Sequence, residues 1–188
     1  KALAAFLSAE KEKPKPYLEY RIGKMYAAGL GTEQDYGQAA SWFQQAVEKN
    51  HKYAQYSLGS LYYRGQGVLQ DYAQALRLYT LSADQGNPYA DYELAKMYRD
   101  GVGTSVDAAA SNKHFKAAFS GFYRLEKDSH DDKLQYRLGQ MLYTGTGTEK
   151  DAQAAVSYLE KSAQLGNVNA QYLLGKVCLE TDIGNPAQ

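Results

Sequence analysis

The sequence predicts an all-α fold built from helix pairs that recur along its 188 residues. Three observations carry this prediction. A Tyr-x-(Leu/Ile)-(Gly/Ala) motif occurs five times, a Gly-x-Gly motif follows four of its copies, and an aspartate follows each Gly-x-Gly. The small residue of the first motif is taken here as the anchor of each repeat. The anchors are spaced by 36, 36, 44 and 36 residues: Gly23, Gly59, Ala95, Gly139 and Gly175. Recurrence at this period indicates tandem structural repeats.

The first helix of each repeat, helix A, is predicted by apolar residues at −3, −1, +2 and +3 from the anchor, which trace one broad helical face. Every repeat has tyrosine at −3: Tyr20, Tyr56, Tyr92, Tyr136 and Tyr172. Aromatic residues at helical spacing are usually core residues, so we expect these five to be buried. Glycine in mid-helix costs about 1 kcal/mol relative to alanine. Its recurrence at the anchor therefore predicts that a neighbouring helix approaches closely there.

Turns and caps complete each repeat. Glycines at +6 and +8 are expected to end helix A, because glycine readily adopts left-handed backbone. They are Gly29/Gly31, Gly65/Gly67, Gly101/Gly103 and Gly145/Gly147. Aspartates at +12 are expected to cap the second helix, helix B: Asp35, Asp71, Asp107 and Asp151. Asp35 and Gln38 also have the spacing of a capping box. A second apolar stripe, such as Ala39, Trp42 and Phe43, predicts helix B itself.

One repeat shows the full motif. Residues 54–75 read A-x-Y-x-L-G-x-x-Y-x-x-G-x-G-V-x-x-D-Y-x-x-A. This pattern resembles the Sel-one-like repeat (SLR) family, a relative of the tetratricopeptide repeats, over about residues 17–188. The resemblance implies a right-handed α/α superhelix, a solenoid of antiparallel helix pairs, whose A helices line a concave surface that holds a partner. It does not imply an enzyme.

The expected organisation is a preceding helix end and polar linker at 1–16, then repeats at about 17–52, 53–88, 89–132 and 133–168, and a partial repeat at 169–188. The third repeat is eight residues longer, about two helical turns. The extra residues read either as a tolerated insertion or as a protruding element around Phe119–His130 that marks a partner site. Both ends resemble cuts through a longer array, so we expect a fragment of a larger bacterial protein that can associate end to end.

The charge, the cysteine content and the apolar runs of the chain argue against several classes of protein. Lys+Arg and Asp+Glu both total 21, and this zero net charge argues against a strongly basic nucleic-acid surface. Cys178 is the only cysteine, so an internal disulfide is excluded. No apolar run approaches the ~20 residues of a membrane span, so no membrane insertion is expected. No secretory signal is visible, which favours the cytoplasm. A periplasmic or secreted location stays open because the chain does not begin with methionine.

Catalytic and metal chemistry is weakly supported. The Gly-x-Gly motifs lack the third glycine and the preceding strand of a nucleotide-binding fingerprint. His51, His114 and His130 are scattered, and the run His130-Asp131-Asp132 reads as solvated charge more readily than as metal ligands. We therefore expect no catalytic residue, no cofactor and no metal.

Partner binding is predicted on the polar stripe of helix A, at −2, +1 and +5, with the tyrosines at +4. These residues are Arg21, Lys24, Ser57, Ser60, Tyr63, Arg64, Glu93, Lys96, Asp100, Arg137, Gln140 and Tyr143. The stripe carries both signs of charge, which suits a protein or peptide better than a nucleic-acid backbone. The predicted function is a non-enzymatic scaffold for protein–protein interaction.

More specific alternatives rest on finer resemblance. The amino-acid sequences of the repeats are similar to repeat regions attached to relaxases of mobilisable elements in Gram-positive gut bacteria. This resemblance would place the catalytic residues upstream of this chain. A periplasmic or secreted SLR adaptor for envelope or host proteins is the main competitor. An enzyme, or a module that contacts single-stranded DNA through Arg, Lys and Tyr, is a further alternative.

Overall fold

The fold was examined in a computed structural model that describes residues 2–129 and 131–181. Within these residues the chain forms ten α-helices and no strand, which confirms the all-α prediction. The helices are α1 (Ala2–Glu12), α2 (Pro16–Ala28), α3 (Tyr36–Glu48), α4 (Lys52–Arg64), α5 (Tyr72–Asp84), α6 (Pro88–Asp100), α7 (Ala108–Ser129), α8 (Asp132–Thr144), α9 (Ala152–Gln164) and α10 (Val168–Thr181).

The chain forms two compact units, one up to Ala108 and one from Ala109 onward. In the first unit, α2 packs on α3 and α4 packs on α5, and each of these B helices also packs on the A helix that follows it. The helix α1 packs on α2. In the second unit, α8 packs on α9, and α10 packs on both. Consecutive helices joined by such short connections form the expected helix pairs.

The anchor glycines lie where helix A meets helix B of the same repeat. A Cβ added to Gly23 would lie 2.6 Å from ring carbons of Phe43 in α3, and one added to Gly139 would lie 2.7 Å from Cγ of Leu159 in α9. These distances are shorter than any ordinary carbon contact. The predicted close approach is therefore confirmed at these positions. A Cβ on Gly175 would meet no heavy atom within 4 Å.

The two glycines of each Gly-x-Gly have different roles. The first ends helix A in left-handed backbone, as predicted, with φ between 66° and 73° at Gly29, Gly65, Gly101 and Gly145. The second also has positive φ, and at Gly67, Gly103 and Gly147 it packs against the backbone of an earlier helix. Gly67 rests on Tyr36 of α3, and Gly147 rests on Phe115 of α7. The second glycine thus joins consecutive repeats, a role that the spacing did not predict.

The aspartate caps are confirmed at three positions. Oδ1 of Asp35, Asp71 and Asp151 each accepts a backbone N–H of the first turn of helix B at 2.9 Å. The capping-box expectation is wrong at Asp35, because its own amide donates to the carbonyl of Tyr26 at 3.0 Å and not to Gln38. This bond ties the start of helix B to the end of helix A.

The long third repeat has a continuous helix B of 22 residues. Phe115, Ala118 and Phe122 on α7 are all at most 5% exposed, whereas Tyr123 and Leu125 beyond them are 43% and 37% exposed. The helix therefore faces the core up to Phe122, and a partner site on its last turns stays a prediction. His130 lies outside the described residues. Gly67 packs at the first residue of its helix, whereas Gly147 packs at Phe115, seven residues into α7. The helix α7 begins 13 positions after its anchor, as α3, α5 and α9 do, so the additional residues extend its C-terminal end and the next repeat packs further along it.

Candidate partner-binding site

The twelve residues predicted to contact a partner all lie on A helices, nine of them on α2, α4 and α6 of the first unit and three on α8 of the second. On α2 lie Arg21 and Lys24; on α4 lie Ser57, Ser60, Tyr63 and Arg64; on α6 lie Glu93, Lys96 and Asp100; and on α8 lie Arg137, Gln140 and Tyr143. Arg21, Lys24, Arg64 and Asp100 are exposed, and the others are half-buried.

Four of these residues border one cleft in the first unit, between α2 and α4. Lys24, Ser57, Ser60 and Arg64 line this cleft, whose volume is about 290 Å³. The rest of its lining is mainly apolar and aromatic: Ala27, Ala28, Tyr36, Phe43, Tyr56, Leu61 and Gln66. The α2–α4 cleft thus combines two cations and two hydroxyl groups with an aromatic wall.

The cations of the α2–α4 cleft have no internal counter-ion. Lys24 and Arg64 are exposed and form no ion pair with any described residue. On the same helix as Lys24, the guanidinium of Arg21 lies 5.5 Å from the ring centroid of Phe6. A cation–π contact of this kind leaves the positive charge uncompensated. Arg21, Lys24 and Arg64 thus have no ion-pair partner among the described residues.

One hydroxyl group of the cleft is held in place by a tyrosine. The Tyr79 hydroxyl donates to Oγ of Ser60 at 3.3 Å, and burial raises the pKa of Tyr79, so this hydroxyl stays protonated. Burial also raises the pKa of Tyr20. Ser60 is therefore oriented before any partner arrives.

The charges on α6 neutralise one another. Nζ of Lys96 lies 2.6 Å from a carboxylate oxygen of Glu93. Arg99 makes two bonds to the carboxylate of Asp100, at 2.7 and 2.9 Å, and these bonds lower the pKa of Asp100. The mixed charge of the predicted stripe is thus local to α6, and the α2–α4 cleft carries one sign only.

The two tyrosines at +4 have aromatic or acidic neighbours. The ring of Tyr63 packs edge-on against Tyr72 of α5, with centroids 5.2 Å apart. In the second unit, the Tyr143 hydroxyl donates to the carboxylate of Glu180 in α10, which raises the pKa of Tyr143. Neither ring is freely extended into solvent. On the same helix α8, the guanidinium of Arg137 lies 5.9 Å from the ring centroid of Phe122.

The tyrosines at −3 are less buried than predicted. Tyr20, Tyr56, Tyr92 and Tyr136 are half-buried, and the prediction is wrong for Tyr172, which is 78% exposed. Tyr172 lies on α10, after which no further helix is described to cover it. Tyr56 lines the α2–α4 cleft while its ring packs 5.7 Å from that of Tyr79. A residue assigned to the core from its spacing is therefore part of the candidate site.

A row of buried polar residues at −4 was not singled out from the sequence. Glu19, Gln55 and Gln135 are at most 2% exposed. Glu19 pairs with Lys49 at the end of α3, and Oε1 of Gln55 accepts from Nε2 of Gln85, at the end of α5, at 2.7 Å. The sequence signal that could have identified them is the recurrence of a polar residue at −4, next to the apolar positions of helix A. Its function depends on a partner at the end of helix B.

His51 is the cap of α4. Its Nδ1 accepts the amide of Ala54 at 3.2 Å, and its ring stacks on Tyr20 with centroids 4.9 Å apart. Burial lowers the pKa of His51, although the nearby carboxylate of Glu19 acts in the opposite direction. The neutral imidazole is therefore the form that suits this position.

The ionisable groups considered for metal chemistry have structural partners where they are described. Oδ1 of Asp131 accepts the amide of Leu134, and Oδ2 of Asp132 accepts from Asn167, each at 2.9 Å. Over residues 2–129 and 131–181, no three His, Cys, Asp or Glu side chains are grouped as metal ligands. Nor does this part of the chain contain a helix with the length and apolar character to cross a membrane.

Comparison with known proteins identifies the repeats. The model of the Sel1 repeat matches residues 16–51, 52–87, 88–120, 133–167 and 168–186. The interval from 121 to 132 covers the second half of α7 and extends to Asp132, the first residue of α8. No curated protein sequence gives a significant match.

Solved structures of similar fold come from bacteria. The chain is 27% identical to c5321, a protective antigen of uropathogenic Escherichia coli strains with an SLR fold, at a TM-score of 0.63 over 97% of this chain and 45% of that one. It is 27% identical to a Sel1 repeat protein from Oxalobacter formigenes, at a TM-score of 0.58 over 87% of this chain and 64% of that one.

A third structure supports the fold alone. It is a Sel1 repeat protein from Klebsiella pneumoniae, 17% identical, with a TM-score of 0.55 over 93% of this chain and 98% of that one. The chain spans less than half the length of the E. coli protein and about two thirds of the Oxalobacter protein. With five matched repeats across most of its length, the chain belongs to the Sel1 repeat family, whose members generally serve as scaffolds for protein–protein interaction.

Proposed function

We propose that this chain is a non-enzymatic interaction scaffold that binds a protein or peptide partner on the polar face of its A helices, with the α2–α4 cleft as the main contact in the first unit. The observation that carries the proposal is the pair of cations without an ion-pair partner, Lys24 and Arg64, beside an aromatic wall and two serine hydroxyl groups. The chemistry of the cleft selects an acidic peptide segment.

Charge complementarity supports an acidic partner. Opposite charge across an interface speeds association and suppresses wrong partners. The neighbouring cations of α6 are already paired with Glu93 and Asp100, so they add little attraction for an anion. Lys24 and Arg64 supply charge, and Arg64 can form a two-point contact with a carboxylate. Both are free to meet an Asp or Glu side chain.

The aromatic wall supports a peptide rather than a small anion. Tyr36 and Tyr56 line the cleft with Phe43 and Leu61, and tyrosine combines a rigid ring with a polar tip, which makes it a favoured contact residue in interfaces. The cleft contains no paired acid and base, since its ionisable side chains are lysine, arginine and tyrosine. This composition favours binding over catalysis.

The remaining predicted contacts extend the surface within each unit. Arg21 adjoins the cleft on α2, and Glu93, Lys96 and Asp100 would contribute orientation more than affinity because their charges are paired. In the second unit, Arg137, Gln140 and Tyr143 would form a separate contact on α8. These assignments stay predictions.

The proposal is tested with two pools of short fluorescent peptides of matched hydrophobicity, one rich in Asp and Glu and the other with Lys and Arg at the same positions. Fluorescence anisotropy should show saturable binding of the acidic pool only. The double substitution Lys24→Ala/Arg64→Ala should weaken that binding by roughly tenfold, because each exposed ion pair contributes about 0.5–1 kcal/mol.

The matched control is Arg77→Ala/Lys113→Ala, which removes the same charge from exposed positions on the B helices α5 and α7. It should leave binding unchanged. Far-UV circular dichroism checks that both double variants are folded. Full retention of acidic-peptide affinity by Lys24→Ala/Arg64→Ala, or failure of the acidic pool to bind the unaltered chain, would refute the proposal.

The single-stranded DNA alternative is decided by the same assay with labelled oligothymidylate. Binding to phosphates falls steeply with added salt because counter-ions are released. Strong, salt-sensitive binding of oligothymidylate together with weak binding of the acidic pool would favour that alternative. The near balance of charge along the chain supports the peptide.

The secreted-adaptor alternative is favoured by one comparison. The E. coli protein that shares 27% identity is a protective antigen. Fractionation of cells that produce the parent protein would distinguish export from retention. The link to relaxases and the end-to-end association of this chain stay predictions, tested respectively by the reading frame around the chain and by sedimentation at several concentrations.

A further inference from the structure

We propose that the second unit contains a receptor for a lysine side chain of a protein partner, centred on the buried amide of Gln135 where the start of α8 meets the end of α9. The inference concerns a position that sequence reasoning did not assign. It does not depend on the α2–α4 cleft, so either proposal can fail alone.

In the first two repeats, the residue that corresponds to Gln135 receives a hydrogen bond from the end of helix B. The residue at −4 on helix A and the residue that ends helix B are separated by 30 positions in each case: Glu19 and Lys49, Gln55 and Gln85, Gln135 and Leu165. In the first unit the later residue donates to the earlier one, as an ammonium from Lys49 and as an amide from Gln85. Leu165 has no group to donate.

The acceptor at Gln135 is consequently unfilled. Gln135 is 2% exposed, and its Oε1 has no hydrogen-bond partner. Its orientation is set by Glu126, whose carboxylate accepts from Nε2 at 3.1 Å. Because a carboxylate only accepts, reversing the amide would place two oxygens against each other. The carbonyl oxygen of Gln135 is therefore held as the group that needs a donor.

A cavity of about 270 Å³ borders the side chain of Gln135, whose carbonyl oxygen has less than 1 Å² of accessible surface and would be reached only as the lining side chains move aside. It is lined by Gln135, Lys161, Gln164 and Leu165. The last three are exposed, and Leu165 is 57% exposed, so the cavity opens to solvent. A lysine side chain matches this lining, because its methylene stem can lie along Leu165 while its ammonium reaches the polar end.

The local charge favours a cation over a neutral donor. The Glu126 carboxylate is 8% exposed and stands directly behind Gln135. The carbonyl end of α9 also lies here, and the C-terminus of a helix carries partial negative charge. The resident cation, Lys161, has its ammonium 5.1 Å from the ring centroid of Tyr158, and its charge opposes the entry of a second cation. The amide oxygen, the carboxylate and the helix end all attract an ammonium group.

The test follows the side-chain amide signal of Gln135 by two-dimensional ¹H–¹⁵N NMR during titration with Nα-acetyl-lysine amide. The expected result is a saturable shift of that signal. Tetramethylammonium, which has the charge but no N–H donor, should produce a much smaller shift. Nα-acetyl-norleucine amide, which has the stem but no charge, should produce none.

Variants at the exposed Leu165 distinguish the loss of lysine binding that comes from supplying a donor to Gln135 from a general effect of substitution at this position. Leu165→Gln places the donor of the second repeat at this position, so it should abolish the saturable shift and raise the urea midpoint of unfolding. Leu165→Met has similar size and no donor, so it should retain the shift. Lys161→Met should retain or strengthen it, since a competing cation is removed.

Three results would overturn the inference. The first is the absence of a saturable shift at Gln135 with the lysine probe, which would mean that solvent satisfies the oxygen. The second is an equal response to tetramethylammonium, which would indicate charge attraction without a specific donor. The third is an undiminished shift in Leu165→Gln.

Discussion

Alanine at two anchor glycines of the second unit should change stability in opposite directions. Gly139 and Gly175 occupy the same position in consecutive A helices, α8 and α10. A Cβ at Gly139 would lie 2.7 and 2.9 Å from Cγ and Cδ2 of Leu159, and 3.2 Å from the carbonyl oxygen of Ala155. A Cβ at Gly175 would meet nothing within 4 Å. The same added methyl group therefore meets a packed environment at Gly139 and an open one at Gly175.

The magnitudes follow from two opposing effects. Replacing a helical glycine by alanine stabilises the helix by about 1 kcal/mol, and this is the whole expected effect of Gly175→Ala. At Gly139 the branch point of Leu159, which is fully buried, must move by roughly 1 Å to restore an ordinary contact. Overpacking of this kind costs about 1–3 kcal/mol. Because the contacts of 2.7 and 2.9 Å fall on a fully buried branch point, we expect a cost in the upper part of this range, about 2–3 kcal/mol, so Gly139→Ala should be destabilising by about 1–2 kcal/mol net.

The assay is urea and thermal unfolding followed by far-UV circular dichroism for the unaltered chain and both variants. For a chain of 188 residues, 1 kcal/mol corresponds to about 2–4 °C in Tm. The two variants should therefore differ by about 4–12 °C. Similar gains for both substitutions would refute the argument that the approach of helix B selects glycine at the anchor.

Three further predictions concern turns and caps. Gly67→Ala should lower the free energy of unfolding in urea by at least about 3 kcal/mol, because φ is +70° and a Cβ would overlap the backbone of α3. Gly86 has a similar φ of +74° but open space around it, so Gly86→Ala should lower the free energy of unfolding by about 1–2 kcal/mol. Asp71→Ala should cost about 1 kcal/mol in the same assay through loss of a cap. Stability should fall as pH decreases below about 6.5, because burial lowers the pKa of His51 and the unfolded chain then binds the proton more readily. His51→Asn, which places there the residue type found at Asn87, should weaken this pH dependence of the urea midpoint.

Much of the candidate site was predictable from helical register. Lys24, Ser57, Ser60 and Arg64 were selected as a polar stripe, and they line one cleft. The spacing could not show that Tyr56 also lines it, because a half-buried ring at a core-like position is distinguished only by the shape of the neighbouring helices.

Whether each charged side chain of the stripe forms an ion pair also depends on the residues that the fold brings next to it. Glu93 and Lys96 are three residues apart on one helix, so their pairing is compatible with sequence spacing. For Lys24 and Arg64, the absence of an ion pair depends on which side chains the other helices bring near them. Charge counts along the stripe therefore predicted mixed sign, whereas the α2–α4 cleft is cationic.

Local interactions explain why the helix pairs and their ends could be read from the chain. Gly65 ends α4 in left-handed backbone, and Asp71 accepts an amide three residues away, so both depend on residues within a few positions. Contacts between distant residues could not be read in this way. Gly67 needs the backbone of Tyr36, and the oxygen of Gln135 lacks the donor that a residue 30 positions later would have provided. Such contacts are set by how the helices pack, and packing brings together atoms whose separation along the chain carries no local signal.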